Sequence, residues 1–189
     1  MRAGYMPAVG VAEFRDDMPE PQIEKADDVK IKIRNCGICG SEVHAIHGLH
    51  PFRIPPIVSG HEVAGDVVAV GEGVTKFKVG DRVTVEPHYG CGHCWYCDHG
   101  LYNVCPDKKV LGAGPWSGGL GEYIVTPEQT VVKLPDSLTY EEGARAAEAL
   151  LDRAERRAAE YMDCVQGVWD GTRTKAELFA LMKNRSYNS

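Results

Sequence analysis

Residues 91–105 read CGHCWYCDHGLYNVC, and they contain four cysteines in a Cys-x2-Cys-x2-Cys-x7-Cys spacing: Cys91, Cys94, Cys97 and Cys105. Four thiolates this close in sequence can surround one zinc ion tetrahedrally without any long-range folding. Gly92 and Gly100 stand where the chain must turn tightly around the metal. Two disulfides are a disfavoured alternative, because a Cys-x2-Cys spacing is short for a relaxed disulfide and nothing suggests export. Since sulfur fills all four positions, the pattern predicts a structural zinc site.

A second set of metal-ligand residue types lies upstream, in the stretches NCGICGSEVHAIHG and VSGHEVAG. These supply Cys39, His61 and Glu62, which are the ligand types of a zinc site that keeps one position open. An open zinc ion acts as a Lewis acid and lowers the pKa of a bound alcohol. Ser41 can then pass the alcohol proton on, and His44 can carry it to solvent. Each of these signals is weak alone. A GHE stretch can equally contain an ordinary loop histidine, and a CGIC stretch can equally contain a pair of cysteines in the core.

Several motifs occur together and in order: GICGSEVH, GHEVAGDVVAVGEGVTKFKVGDRV, the four-cysteine run, GGLGEYIV and LPDSLTYEEGA. Over residues 1–144 the chain resembles the zinc-dependent medium-chain alcohol and polyol dehydrogenases, most of all their sorbitol, butanediol and secondary-alcohol branch. The resemblance implies that Cys39 and His61 bind a catalytic zinc, with Glu62 in its immediate surroundings. It also implies a proton relay through Ser41 and His44, a structural zinc on the four cysteines, a small alcohol or polyol substrate, and NAD(P) as the cofactor of full-length members.

Composition narrows the class of protein. The chain has 189 residues and a formal net charge of −6, which argues against nucleic acid or an anionic membrane as partner. No apolar run approaches the ~20 residues of a membrane span, and the amino terminus lacks a signal peptide, so we expect a cytoplasmic protein. Cys36 and Cys164 have no metal role in these patterns and are interpreted as reduced packing residues. A redox pair of Cys36 with Cys39 is disfavoured, because Cys39 is better explained as a metal ligand.

The first 140 residues carry strand patterns: DVKIKIRN, EVAGDVVAVG, DRVTVEP, GEYIV and TVVKLP, with turns rich in glycine and proline between them. Short strands at this spacing predict a mainly β fold with a partly open barrel, and the family resemblance implies the GroES-like catalytic fold. The stretch KVLGAGPWSGG looks like a dinucleotide-binding turn, but it leads into a strand rather than a helix. We interpret it as the loop before a barrel strand, with Trp116 reaching toward the substrate cleft.

The end of the chain has a different pattern. Only 41 residues follow Glu148, too few for a Rossmann domain, and they contain no glycine fingerprint. Apolar residues at helical spacing predict a helix over 141–165, and Thr174 with Glu177 predicts the cap of a second one. We therefore predict a catalytic domain over 1–144 with a zinc lobe at 88–107, then a helical hairpin over 145–189 and no nucleotide-binding domain, as in a truncated, spliced or engineered form.

The long predicted helix has a free apolar face that includes Leu150, Leu151 and Met162. In the resembling family a nucleotide-binding domain covers the barrel, so we expect this helix to cover it here, within the chain or across a homo-oligomer.

The last protein ligand of the catalytic zinc stays open at this stage. In the polyol branch a glutamate follows EEGA after two further residues, a position that Ala147 occupies here, and Glu148 comes one residue later. One residue on a helix is ~100° of rotation, so the ligand is either Glu148 or water.

Two functions remain. One is the catalytic domain of a zinc alcohol or polyol dehydrogenase that is inactive without an NAD-binding domain. The alternative is a cofactor-free, zinc-stabilised binding or assembly module. A zinc hydrolase with Glu62 as its base is a third, disfavoured reading.

Overall fold

The structure is a computed structural model that describes residues 1–146 and 172–174. These residues form two compact units, one made of 1–87 and 109–146 and the other of 88–108 and 172–174. Glu148 and the helix face with Leu150, Leu151 and Met162 lie outside the described residues, as does the predicted cap residue Glu177. The domain boundary at residue 144 stays a prediction.

The named elements of the described residues are nine strands and two helices. In chain order the strands are β1 (Ala3–Ala8), β2 (Val11–Arg15), β3 (Asp28–Gly37), β4 (Glu62–Val70), β5 (Arg82–Val85), β6 (His88–Tyr89), β7 (Lys109–Val110), β8 (Tyr123–Pro127) and β9 (Val131–Lys133). The helices are α1 (Gly40–Ile46) and α2 (Trp95–Asp98). Two short 3₁₀ turns occupy Tyr102–Val104 and Glu128–Thr130.

The first unit is built on one antiparallel sheet with the strand order β8-β3-β4-β5-β9, which curls into a half-barrel. The five sequence stretches predicted as strands correspond to these five strands, so the mainly β prediction is confirmed. Their β-branched and aliphatic residues alternate into a single core, in which the fully buried members are Val29, Ile31, Val63, Val67, Val83, Val85, Leu111 and Ile124. This sheet places the end of β3 beside the start of β4, where both upstream ligand candidates occur.

Two parts of the first unit were not predicted as elements. The β1–β2 hairpin has almost no buried residues in β2, so its sequence carries no inside-outside alternation. Helix α1 has only seven residues, too few for a clear 3.6-residue period.

Trp116 differs from its interpretation as a cleft residue. It packs against the sheet core, and its Nε1 donates a hydrogen bond to the carbonyl of Val125 at 3.0 Å. The loop around it does lead into a strand, β8, as predicted.

The second unit is small and rich in turns. It contains β6, the single turn of α2 and the 3₁₀ turn at Tyr102–Val104, with Leu101 and Cys105 as its buried apolar residues. Gly92 and Gly100 have φ values of 80° and 71°, which confirms the tight turns predicted at these two positions. The four cysteines therefore come together within a segment of 21 residues.

A last helical segment at 140–146 leaves the sheet in the first unit. Thr139 and Glu142 cap its start reciprocally: the Thr139 N–H donates to Oε2 of Glu142 at 2.8 Å, and the Glu142 N–H donates to Oγ1 of Thr139 at 3.2 Å. The buried hydroxyl of Thr84 ties this segment to the sheet, because it lies 2.8 Å from the carbonyl of Val63 and 2.9 Å from that of Gly143. The Thr84 hydroxyl thereby connects the helical segment to Val63 of β4, which is two residues after His61.

We predict that Thr84→Val destabilises the first unit by about 1–3 kcal/mol, because it leaves two buried carbonyls without their shared donor. Urea unfolding of the zinc-loaded protein measures the change. Thr75→Val is the matched control, since Thr75 is exposed, and its effect stays within about 0.5 kcal/mol. Equal effects of the two substitutions would show that the Thr84 hydroxyl does not connect the helix to the sheet.

Candidate functional site

The four clustered cysteines have the geometry of a closed tetrahedral metal site. Their sulfur atoms all lie within 4.8 Å of one another, and three of the separations are 3.6 Å (Cys94 to Cys97), 3.7 Å (Cys94 to Cys105) and 3.9 Å (Cys91 to Cys97). Zinc–sulfur bonds of about 2.3 Å require tetrahedron edges of about 3.8 Å. A disulfide needs sulfur atoms only about 2.05 Å apart, so these residues fit zinc and are free cysteines.

In the metal-free chain, the close packing of these thiols gives them different pKa values. A backbone hydrogen bond from His93, with further ones from Cys94 and Cys105, lowers the pKa of Cys91 to about 6. Burial and hydrogen bonds with the neighbouring sulfurs raise the pKa of Cys97 to about 12. A lowered pKa favours the thiolate form of Cys91 near pH 7, and a thiolate is the form that binds an incoming cation.

Cys39, Glu42 and His61 form the second cluster, which lies in the first unit. One ligand atom of each lies within 4.8 Å of the other two, and Glu42 and His61 are buried. Cys39 is the N-cap of α1, two residues after β3 ends, and His61 directly precedes β4. Because β3 and β4 pair antiparallel, with Gly37 opposite Glu62, the two predicted ligands meet at one end of the strand pair.

Glu42 is a member of this cluster that the sequence analysis missed. Its Oε2 accepts the Cys39 N–H at 3.0 Å. Its Oε1 lies 2.9 Å from the Ser59 hydroxyl, 3.3 Å from the Gly60 N–H and 3.0 Å from Nδ1 of His61. With both oxygens already accepting hydrogen bonds, this carboxylate is suited to support the ligands rather than to bind the metal itself. A carboxylate three residues after the N-cap cysteine is the one sequence signal that points to it.

The charge state of Glu42 decides which nitrogen of His61 is available to bind a metal ion. Burial by itself raises the pKa of Glu42, but the hydrogen bond from His61, the charges of His61 and Arg53 and the Ser59 hydroxyl outweigh it and hold the pKa at about 2. The carboxylate is therefore only an acceptor near pH 7, and Nδ1 of His61 carries the proton that faces it. In the neutral imidazole, Nε2 then has a free lone pair for a metal ion.

The remaining predicted residues lie around this cluster without being part of it. Glu62 is buried and its carboxylate lies over Gly37, and it is not among the three residues whose ligand atoms converge in the described part of the chain. The hydroxyl of Ser41 lies 3.4 Å from Oε2 of Glu42. His44 is exposed in the last turn of α1. Ser41 and His44 are three residues apart and so share one face of the helix.

Cys36 does not behave as a redox partner of Cys39. Burial, and secondarily the nearby charges of Glu42 and Glu62, raises the pKa of its thiol to about 12. A thiol that stays protonated is a poor nucleophile. Cys36 packs against the sheet core, as the interpretation of it as a packing residue requires.

Comparison with known proteins agrees with this geometry. Residues 25–136 match the model of the alcohol dehydrogenase GroES-like domain. The chain belongs to this family. It is 48% identical to an uncharacterised zinc-type alcohol dehydrogenase-like protein of Escherichia coli over 66% of this chain, and 43% identical to sorbitol dehydrogenase of Bacillus subtilis over 68%. The solved structure of galactitol-1-phosphate dehydrogenase from Escherichia coli superposes with a TM-score of 0.71 and 33% identity over 76% of this chain.

These relatives are longer than the region that they share with this chain. The match covers 38% of the Escherichia coli relative, 37% of the sorbitol dehydrogenase and 41% of the galactitol-1-phosphate dehydrogenase chain. The GroES-like domain of a zinc-type alcohol or polyol dehydrogenase is therefore the part in common. Within the residues that the structure describes, no helix is both long and apolar enough to cross a membrane.

We predict that zinc binding to the cysteine lobe releases fewer than four protons per ion at pH 7, and that the number rises toward four as the pH falls below about 6. The reason is that Cys91, with a pKa of about 6, is mostly deprotonated above that pH and protonated below it. Calorimetric titration in buffers of different ionisation enthalpy measures the protons, with Cys39→Ser present so that the other site does not contribute. A release of four at both pH values would contradict a preformed thiolate.

Proposed function

We propose that this chain provides the zinc-binding and alcohol-binding part of an NAD(P)-dependent alcohol or polyol dehydrogenase. The observation that carries the proposal is the convergence of Cys39 and His61, 22 positions apart in the sequence, with ligand atoms within 4.8 Å. One thiolate and one imidazole do not complete a tetrahedral shell, so such a site keeps room for a small oxygen ligand. The closed four-cysteine lobe has no such room and is assigned to structural zinc.

The catalytic ion would be held by Sγ of Cys39 and Nε2 of His61, with Glu62 in its surroundings and with Glu148 or water as a further ligand. When bound, zinc supplies a Lewis acid that lowers the pKa of an alcohol at the open position. Ser41 and His44 are placed for the proton. They share one face of α1, the first half-buried beside Glu42 and the second exposed, so a proton that leaves the buried end has a route toward solvent.

Substrate class and cofactor follow from the family and its named members. Sorbitol dehydrogenase and galactitol-1-phosphate dehydrogenase are both similar to this chain, which favours a small alcohol or polyol as substrate. Oxidation of an alcohol by hydride transfer needs an acceptor held about 3–3.5 Å away, the role of NAD(P). The glycine-rich stretch at 109–119, which looks like a dinucleotide-binding turn, leads into strand β8 rather than into a helix, so we propose that the 189-residue chain alone does not turn over.

A homo-oligomer is also part of the proposal. Ile38, Leu49 and Ile54 are large apolar side chains of the first unit with exposed fractions of 74%, 73% and 66%. Burying such side chains against a second copy removes apolar surface from water.

The metal content provides the first test. We expect two zinc ions per chain, one after Cys39→Ser, and still two after His44→Gln, because His44 is assigned to the proton and not to the metal. Elemental analysis of dialysed protein measures these numbers. Cys97→Ser should empty the lobe and lower its thermal stability, as is usual for structural zinc. Retention of both ions by Cys39→Ser would exclude the proposed catalytic site.

The second test separates the dehydrogenase domain from a cofactor-free module. With zinc in the lobe and cobalt(II) in the open site, adding sorbitol or a secondary alcohol should change the cobalt d–d spectrum, because the alcohol enters the coordination shell. The same chain should show no alcohol-dependent reduction of NAD or NADP. An unchanged spectrum favours the cofactor-free module, whereas turnover that Cys39→Ser abolishes would show that the chain does hold a hydride acceptor.

A further inference from the structure

Arg53 is a buried cation immediately behind the open metal site. Its side chain is 3% exposed. Its Nη1 donates to the carbonyls of Gly112 at 2.8 Å and Leu111 at 3.0 Å, and it lies 3.4 Å from both Oε1 of Glu42 and Oγ of Ser59. Arginine is rarely buried unless it is paired. Here the paired anion is the carboxylate that contacts His61.

Burial of this arginine is costly. Burial lowers the pKa of the guanidinium despite the nearby charge of Glu42. In addition, its Nε is buried without a hydrogen-bond partner among the residues that the structure describes. Buried ion pairs are weak evidence for stability, since well-packed apolar residues often replace them without loss. A contribution to stability therefore does not explain this buried arginine, whereas a role in orienting its neighbours does.

The glycine-rich loop that resembled a nucleotide-binding turn provides the other half of this arrangement. Gly112 has a φ of 68°, and a Cβ there would lie 2.8 Å from Nη1 of Arg53 and 3.0 Å from the backbone of Gly60. Only glycine permits that approach. Farther along, the N–H groups of residues 118–120 donate at 2.8–2.9 Å to the carbonyls of residues 58–60. The loop thus holds the segment that directly precedes His61.

We propose that Arg53 is a positioning residue for the open metal site. Its guanidinium holds the Glu42 carboxylate against the Nδ1 edge of His61 and fastens it to the glycine-rich loop, so that Nε2 is directed toward the metal. The loop thereby serves the metal ligand instead of a nucleotide. This inference rests on the proposed function, in which Cys39 and His61 bind that metal.

The effect of losing Arg53 follows from these contacts. Without the guanidinium, Oε1 of Glu42 loses the cation that lies 3.4 Å from it, and the carbonyls of Leu111 and Gly112 lose their side-chain donor. Groups that orient a metal-binding histidine typically contribute about 10–100-fold to metal affinity. We expect Arg53→Met to weaken metal binding at the open site by about tenfold or more, and to leave the four-cysteine lobe unchanged.

The test measures cobalt(II) affinity at the open site by competition with a chelator, in chains whose lobe is already filled with zinc. Arg53→Met removes the planar fork and keeps an apolar volume. Arg53→Lys keeps the charge but cannot reach Leu111, Gly112 and Glu42 together, so its affinity should fall in the same direction by less. Arg34→Met is the matched control, because Arg34 pairs with Asp66 at 2.7 Å but is half exposed, and it should leave the affinity unchanged.

A double variant, Arg53→Met with Glu42→Gln, removes both buried charges. It separates an effect on the stability of the fold from an effect on the orientation of His61. It should recover thermal stability lost by Arg53→Met and still bind cobalt weakly. Recovery of full affinity by the double variant or by Arg53→Lys would overturn the positioning role. If Cys39→Ser fails to remove the second metal, the proposed function fails. If Cys39→Ser removes it and Arg53→Met binds normally, only the role of Arg53 fails.

Discussion

The buried carboxylate of Glu42 is the constraint on which the rest of the open site depends. A charge with 3% of its side chain exposed must be surrounded by donors, because burying it unpaired costs several kcal/mol. The donors come from three places in the sequence: the start of α1, Arg53, and the segment from Ser59 to His61. The sheet brings the segments of Cys39 and His61 together, and the hydrogen bonds to this one group fix how the two segments lie against each other. The metal-ligand geometry thus depends on solvating an anion inside the protein.

The two candidate metal sites are assembled in different ways. The cysteine lobe takes all its ligands from residues 91–105, so its geometry depends on local turns and on the metal itself. The open site takes its ligands from two strand ends that only the sheet brings together. A site assembled by long-range contacts needs rigid support behind each ligand to hold catalytic geometry, and Glu42 is placed to give that support. The lobe needs little such support, because four metal–sulfur bonds hold it directly.

Much of the architecture was predictable because it is encoded in local pattern. The five strands of the sheet alternate in sequence as half-buried strands do, and all five are present in the structure. The exposed strand β2 and the seven-residue helix α1 carry too little periodicity to be recognised. Trp116 shows the limit for single side chains: it packs partly buried against the core and donates a hydrogen bond to Val125, and no local sequence pattern predicts either contact. Glu42 was missed for the same reason, since its partners lie up to 19 positions away.

The sequence by itself determined the family, the mainly β class and the residue types of both metal sites. Cysteine spacing, strand alternation and the order of motifs are all properties of neighbouring residues, and these can be read without coordinates. Only the tertiary structure decided which carboxylate faces His61, where Glu62 lies, and what the glycine-rich loop does. Those outcomes depend on which donors reach a buried charge. The hydrogen bonds concerned are about 3 Å long and join residues far apart in the chain. A hydrogen-bond network of this kind is a property of packing, and packing is decided by the whole fold at once.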